Sequence, residues 1–389
     1  MPHQRIHGSL DTSGTRIGVE EEFFLVDGES RAVVPAAASV VERAREQLGD
    51  RVCGEISTVH LETRTRPVTS VPVLLGELTE ARRVVARCAV DEGLRLVASG
   101  TPVIQADGPA PIVEGPRPAR GTAMFRGLHD DLAICALHVH VEMPDREHAV
   151  QVSNHLRAHL PLLIALSANS PYWRGRDTGY ASWRTVIWSR WPVAGPPPRF
   201  TSAAHYEQTV AAVGAAGATV DSGTLFWDVR LSATHPTLEI RVADVPVTAE
   251  ESALYAALVR ALVVRALAAV EHGEADHDVP AELLRLAYWR AARDGLDGEL
   301  LDLSTGQLVP AAAMVTKLVA SLRPVLEQLG DGELLAGWLR RLLALGSGAH
   351  RQRTAGRRGD RPADVVDYLI ANTVSGTASR APAEESFLP

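Results

Sequence analysis

The sequence predicts an α+β fold in which helices cover one face of an antiparallel or mixed sheet while the other face carries charge. Four short segments alternate apolar and charged residues at the two-residue period of a strand. Around them lie longer segments with apolar residues at helical spacing, several of which stop at glycine. A hydrophobic content of 46% over 389 residues supplies enough apolar surface for a large core, and no repeat period runs along the chain.

The first strand is IGVEEEFFLV, residues 17–26. Alternation places Glu20 and Glu22 on one face and Glu21 on the other, with Val19 and Phe23. Helices are expected over 40–49 and 73–92, ending at Gly49 and Gly93, each followed by a strand candidate. In VHLETRT (59–65) His60, Glu62 and Arg64 alternate with Val59, Leu61 and Thr63. Residues 103–121 and 191–200 are dense in proline and glycine and are expected to be long loops. ALHVHVEM (136–143) sets His138, His140 and Glu142 against Leu137, Val139 and Val141; TLEIRVAD (237–244) sets Glu239 and Arg241 against Leu238, Ile240 and Val242. Residues 253–273 predict a buried core helix rather than a membrane span, because Arg260 and Arg265 interrupt the apolar run. A glycine- and arginine-rich segment (346–360) precedes a short helix at 363–370. With no dividing linker, residues 1–375 are expected to form one domain and 376–389 a flexible tail.

Charge narrows the function. A net charge of −8 argues against nucleic acid or an anionic membrane as the main partner. Lys317 is the single lysine, so no GxxxxGK[ST] phosphate loop exists. Three cysteines, Cys53, Cys88 and Cys135, suit a reducing compartment, and the N-terminus lacks an apolar signal core; both point to the cytoplasm. Neighbouring carboxylates on one sheet face raise each other's pKa unless cations neutralise them. Mg²⁺ or Mn²⁺ would do so, the latter accepting imidazole more readily. Arginines on the same face are suited to clamping phosphate. The combination points to metal-dependent phosphoryl chemistry.

IGVEEEFFLVD, VVPAA, HVHV, PLLIALSANSPYWRGRDTGYASWRT, WDVRLSATHPTLEIRVADV and AYWRAARDGLDGELLD together resemble the carboxylate-amine ligases of the YbdK type, the second group of glutamate–cysteine ligases, over residues 16 to 310. The resemblance implies a glutamine-synthetase-like catalytic fold: a curved, mostly antiparallel sheet forming a funnel, with helices on its outer face. It also implies ATP-dependent amide formation through an acyl-phosphate, with L-glutamate and L-cysteine as default substrates, in a homo-oligomer, a dimer. By the same resemblance Glu20, Glu22, Glu62, His138 and Glu239 hold Mg²⁺ or Mn²⁺ around the ATP phosphates, and Arg241 and Arg230 serve the transferred phosphate. His140 either joins them, binds substrate, or is hydrogen-bonded near the sheet. Asp177, Tyr180, Ser182 and Arg184 either bind the carboxylate substrate or stabilise their turn. Trp173, Trp183, Trp188 and Trp191 are expected to pack the core, and the arginines at 351, 353, 357 and 358 either cover the site or are solvated. Two departures bear on metal count and substrate pocket: Thr58, where relatives often carry an acid or amide, and Glu142, where they often carry glycine. A ligase for another acid and amine, a guanidino-kinase-like phosphotransferase and a non-catalytic nucleotide binder are the alternatives.

Overall fold

The computed structural model describes residues 12 to 375, apart from 13, 107 and 360. Its strands are β1 (Ile17–Asp27), β2 (Val52–Gly54), β3 (His60–Arg64), β4 (Leu94–Val97), β5 (Ala136–Glu142), β6 (Tyr172–Trp173), β7 (Arg176–Asp177), β8 (Val229–Leu231), β9 (Thr237–Asp244), β10 (Glu299–Asp302) and β11 (Gln307–Pro310). Its helices are α1 (Ala37–Leu48), α2 (Val71–Asp91), α3 (Pro116–Phe125), α4 (Arg146–Leu156), α5 (Leu160–Ser167), α6 (Trp183–Trp188), α7 (Ala203–Ala215), α8 (Ala249–Glu271), α9 (Ala281–Asp294), α10 (Ala311–Gln328), α11 (Gly332–Leu345), α12 (Gly348–Gly359) and α13 (Pro362–Thr373). Seven strands form one open sheet in the order β2-β3-β1-β5-β9-β8, with β4 also paired to β1. Every pairing in it is antiparallel.

The four alternating segments became β1, β3, β5 and β9, because their apolar sets found cover. Val19, Leu137, Val139 and Ile240 join a cluster with α4, α5 and α8, and Phe23, Leu25 and Leu61 join a second with α1 and α2. β1 therefore contributes to both. Burying one Val, Leu, Ile or Phe side chain contributes about 1.5–3 kcal/mol, which fixes which face of each strand points inward. α8 is the one helix among the described residues long and apolar enough to cross a membrane, but 78% of its most apolar window is buried inside the molecule. It is a core helix, packed against α2, α4 and β5, with Thr248 capping its N-terminus and Glu250 and Glu251 in its first turn.

Two stretches go beyond the sequence reading. The Pro- and Gly-rich stretch 103–121 is not all loop, since Pro116 starts α3; proline's fixed φ suits a first helical position. The glycine- and arginine-rich segment forms α12, and the helix after it is longer than 363–370. Glycine in α12 answers to close approach rather than to flexibility. A Cβ at Gly348 would overlap the side chain of Asn169, and one at Gly356 the hydroxyl of Tyr172. The tail expected at 376–389 lies outside the described residues.

Candidate active site

The register brings the charged residues into one row across the sheet. Glu20 stands between Arg64 on β3 and His138 on β5, Glu22 faces Glu62, and Glu239 stands between His140 and Arg230. Between the pairs Leu137–Ala243 and Val139–Ile240, two residues of β9 oppose His138 alone, so β9 bulges at Arg241. Such a bulge re-aims side chains, and Arg241 Nη1 comes to 3.5 Å from His138 Nδ1. Above this face lies a cavity of about 500 Å³ lined by all these residues, within the range of small-molecule sites.

Three overlapping groups bring one donor atom from each member within 4.8 Å of the others: Glu20, His140 and Glu239; Glu20, Glu62 and His138; and Glu22, Glu55 and Glu62. Burial, then repulsion from Glu62, pushes Glu22 up to about 7; burial, then Glu22, pushes Glu55 up to about 7. Glu62 is raised well above its usual range by burial and by Glu20. His138 falls to about 4 through burial and the charge of Arg241, so its imidazole is neutral at pH 7. Burial opposes the charge of Glu20, but His138 at 3.2 Å and His140 at 3.6 Å outweigh it and hold the carboxylate ionised. The Nε2 atoms of His138 and His140 are buried without hydrogen-bond partners. Crowded carboxylates with unpartnered imidazole nitrogens among them form a donor set suited to divalent cations.

Arginines supply the remaining charge. Arg230 Nε and Nη2 donate to Glu239 at 2.7 and 3.2 Å, and Arg241 Nη1 donates to the same carboxylate. Although burial opposes its charge, the two guanidinium groups hold Glu239 well below the usual carboxylate range. Arg64 donates to Glu62 at 2.6 Å. Arg184, only 2% exposed, reaches the cavity wall from α6; it donates to the carbonyls of Val242 and Arg241 and lies 3.9 Å from Asp244.

Of the residues singled out in the sequence, Glu20, Glu22, Glu62, His138, His140, Arg184, Arg230, Glu239 and Arg241 all line the cavity. Asp177, Tyr180 and Ser182 do not. Asp177 accepts two hydrogen bonds from Arg353, both at 2.8 Å, while the Tyr180 hydroxyl accepts one from Trp289. Ser182 caps α6 and donates to Asp244 at 2.9 Å. These contacts brace the turn that carries Arg184. Arg351 and Arg353 pair with Glu251 and Asp177, and none of the segment's described residues is among those lining the cavity. Trp188 both packs in an aromatic cluster and lines the cavity. Glu142 pairs with Arg16 outside the cavity.

Glu55 was missed because it lies between β2 and β3, in irregular chain where alternation carries no signal. Its carboxylate lies within 4.8 Å of those of Glu22 and Glu62. Glu21 lies on the apolar face as expected, but as a fully buried ion pair. Arg82 donates to it through Nε at 3.0 Å and through Nη2, and Ser252 donates at 2.6 Å.

A sequence profile described as "Glutamate-cysteine ligase family 2(GCS2)" matches residues 16–366. The "Putative glutamate--cysteine ligase 2-3" of Mycolicibacterium smegmatis is 44% identical over 359 residues, 92% of this chain and 98% of that protein. The "Putative glutamate--cysteine ligase 2-1" of Nocardia farcinica is 42% identical over 362 residues, 93% of this chain and 94% of its own. Among solved structures, a bifunctional glutathione synthetase from Pasteurella multocida superposes with a TM-score of 0.69 at 14% identity, over 93% of this chain and 52% of that one. A glutamate–cysteine ligase from Francisella tularensis in complex with AMP gives 0.62 at 12% identity, over 93% and 89%. At these identities the likeness is one of fold, and the fold is the glutamine-synthetase-like ligase fold.

Proposed function

The chain belongs to glutamate–cysteine ligase family 2, and from that premise we propose that it is an ATP-dependent carbon–nitrogen ligase joining a carboxylate to an amine through an acyl-phosphate, with L-glutamate and L-cysteine as the default pair. The observation that carries the reading is the cluster of Glu20, Glu22, Glu55, Glu62 and Glu239 with His138 and His140 against one sheet face, whose donor atoms fall into three groups within 4.8 Å of one another. In this reading those residues hold Mg²⁺ or Mn²⁺, whose charge, when bound, neutralises the ATP phosphates.

The chain's own groups then act on the substrates. Arg241 and Arg230 present fixed positive charge to the transferred phosphoryl group, where negative charge spreads over the equatorial oxygens. Arg184 holds an anionic group against the wall. A carboxylate oxygen attacks the γ-phosphorus and ADP departs; the amine nitrogen then attacks the acyl carbon and expels phosphate. Leu132, Ile134 and Phe226 give the cavity apolar lining beside the charged groups. The reading includes a homodimer acting in the cytoplasm on small molecules.

ADP release from Mg²⁺-ATP, measured with acids and amines singly and in pairs, tests it. Release that requires a pair supports the ligase and identifies the substrates. Release with one acceptor alone makes the protein a phosphotransferase, and nucleotide binding without release makes it a binder.

A further inference from the structure

A second cavity, of about 190 Å³, shares no lining residue with the first. It forms where the first turn of α8 meets α11 and α12. Glu250 and Glu251 stand on one side, Arg341 and Arg351 on the other, and Trp338 and Leu342 supply an apolar wall. Glu250 pairs with Arg341 at 2.8 Å and Glu251 with Arg351 at 2.6 Å, so the four charges cancel. The volume equals the share of about six water molecules, enough for a molecule of amino-acid size. A net anion or cation would leave the site with one uncompensated charge. A ligand with one carboxylate and one ammonium replaces a partner in each pair and leaves the site neutral, with the indole of Trp338 available to its side chain or ammonium.

We propose that this cavity binds a small zwitterion of the amino-acid class and that its occupancy is felt at the charged face of the sheet. The Glu251–Arg351 pair lies one residue from that face's supports on both of its sides. Ser252, next to Glu251, donates to Glu21, which sits between Glu20 and Glu22 on β1. Gln352, next to Arg351, donates to the carbonyl and side chain of Asn169 at 2.9 and 2.7 Å. Asn169 N donates to Asp244 at 2.8 Å, and Asp244 lies 3.9 Å from Arg184 on the first cavity's wall. A ligand that draws Glu251 or Arg351 from its partner therefore acts on elements that hold the cation-binding carboxylates and Arg184. This coupling rests on the ATP-site reading of the charged face; the binding does not.

The test is calorimetric titration of the full-length protein with each standard protein amino acid alone, repeated on Arg341→Glu and Glu250→Gln. Arg341 is 60% exposed, so its replacement spares the core. At least one amino acid is expected to bind, and each variant to weaken it about tenfold or more, a change of about 1.4 kcal/mol. At saturation that amino acid is expected to shift the affinity for Mg²⁺-ATP by about fivefold or more, the lower end of ordinary allosteric coupling, with no shift in Arg341→Glu. No binding, or binding indifferent to both variants, overturns the site; binding with no shift in ATP affinity overturns the coupling. If ATP fails to bind while Arg341-dependent amino-acid binding persists, the function reading falls and the site stands.

Discussion

Glu20, Glu21 and Glu22 are chemically identical neighbours with opposite fates, decided by which face of β1 each occupies. Glu21 is a fully buried anion whose partners are Arg82 and Ser252. Replacing it with Gln leaves the Arg82 guanidinium without its counter-ion, and removing one partner of a buried pair costs about 3–5 kcal/mol. Glu21→Gln is therefore expected to melt well below the wild type, while Glu22→Gln keeps its melting temperature and loses turnover; equal melting temperatures would contradict the face assignment. Glu22 and Glu55 make a pH prediction. Both are raised from the usual carboxylate value to about 7. The folded protein thus holds protons that the unfolded chain has released above about 4.5, and their stabilising contribution is lost as pH rises through about 7. Without divalent cations, thermal stability should fall between pH 5 and 8, less steeply in Glu55→Gln. A cation must displace those protons, so its binding near pH 7 should release protons into a weakly buffered solution.

Strands were more legible than helices in this chain. β9 spans the residues of its alternating segment, and β1, β3 and β5 fall within a residue or so of theirs, because a two-residue period with one buried face admits a single register. The same period predicted that Glu20, Glu22, Glu62, His138 and Glu239 share a face. It was silent on Glu55, and on whether Asp177, Tyr180 and Ser182 turn towards the cavity, since loop side chains are aimed by their local partners. α12 was not assigned from the sequence, because glycine is a weak helix former, whereas close packing against Asn169 and Tyr172 leaves room for nothing larger at Gly348 and Gly356. That yields a contrast between two helical glycines. Gly348→Ala should destabilise by about 1–3 kcal/mol through overpacking. Gly337→Ala in α11, with open space at its Cβ, should stabilise by up to about 1 kcal/mol. Chemical denaturation of the two variants checks both, and a shift of the same sign in each would contradict the account.

At the scale of the whole molecule, the fold separates cover from chemistry. Helices and two hydrophobic clusters take one side of an open antiparallel sheet, leaving the other free to gather charge that no core would tolerate. Arg82 ties these parts together. Besides Glu21 it donates to the carbonyls of Pro246, Val247 and Thr373, joining β1, α2, the segment after β9 and the end of α13 at one buried guanidinium. The charged face is proposed to be a divalent-cation site. Titration of the protein with Mn²⁺, followed by electron paramagnetic resonance, tests it most directly, with Glu22→Gln and Glu62→Gln alongside the wild type. Saturable Mn²⁺ binding by the wild type that weakens in both variants, while their melting temperatures hold, is the predicted result; binding unchanged by either substitution, or absent from the wild type, would contradict it.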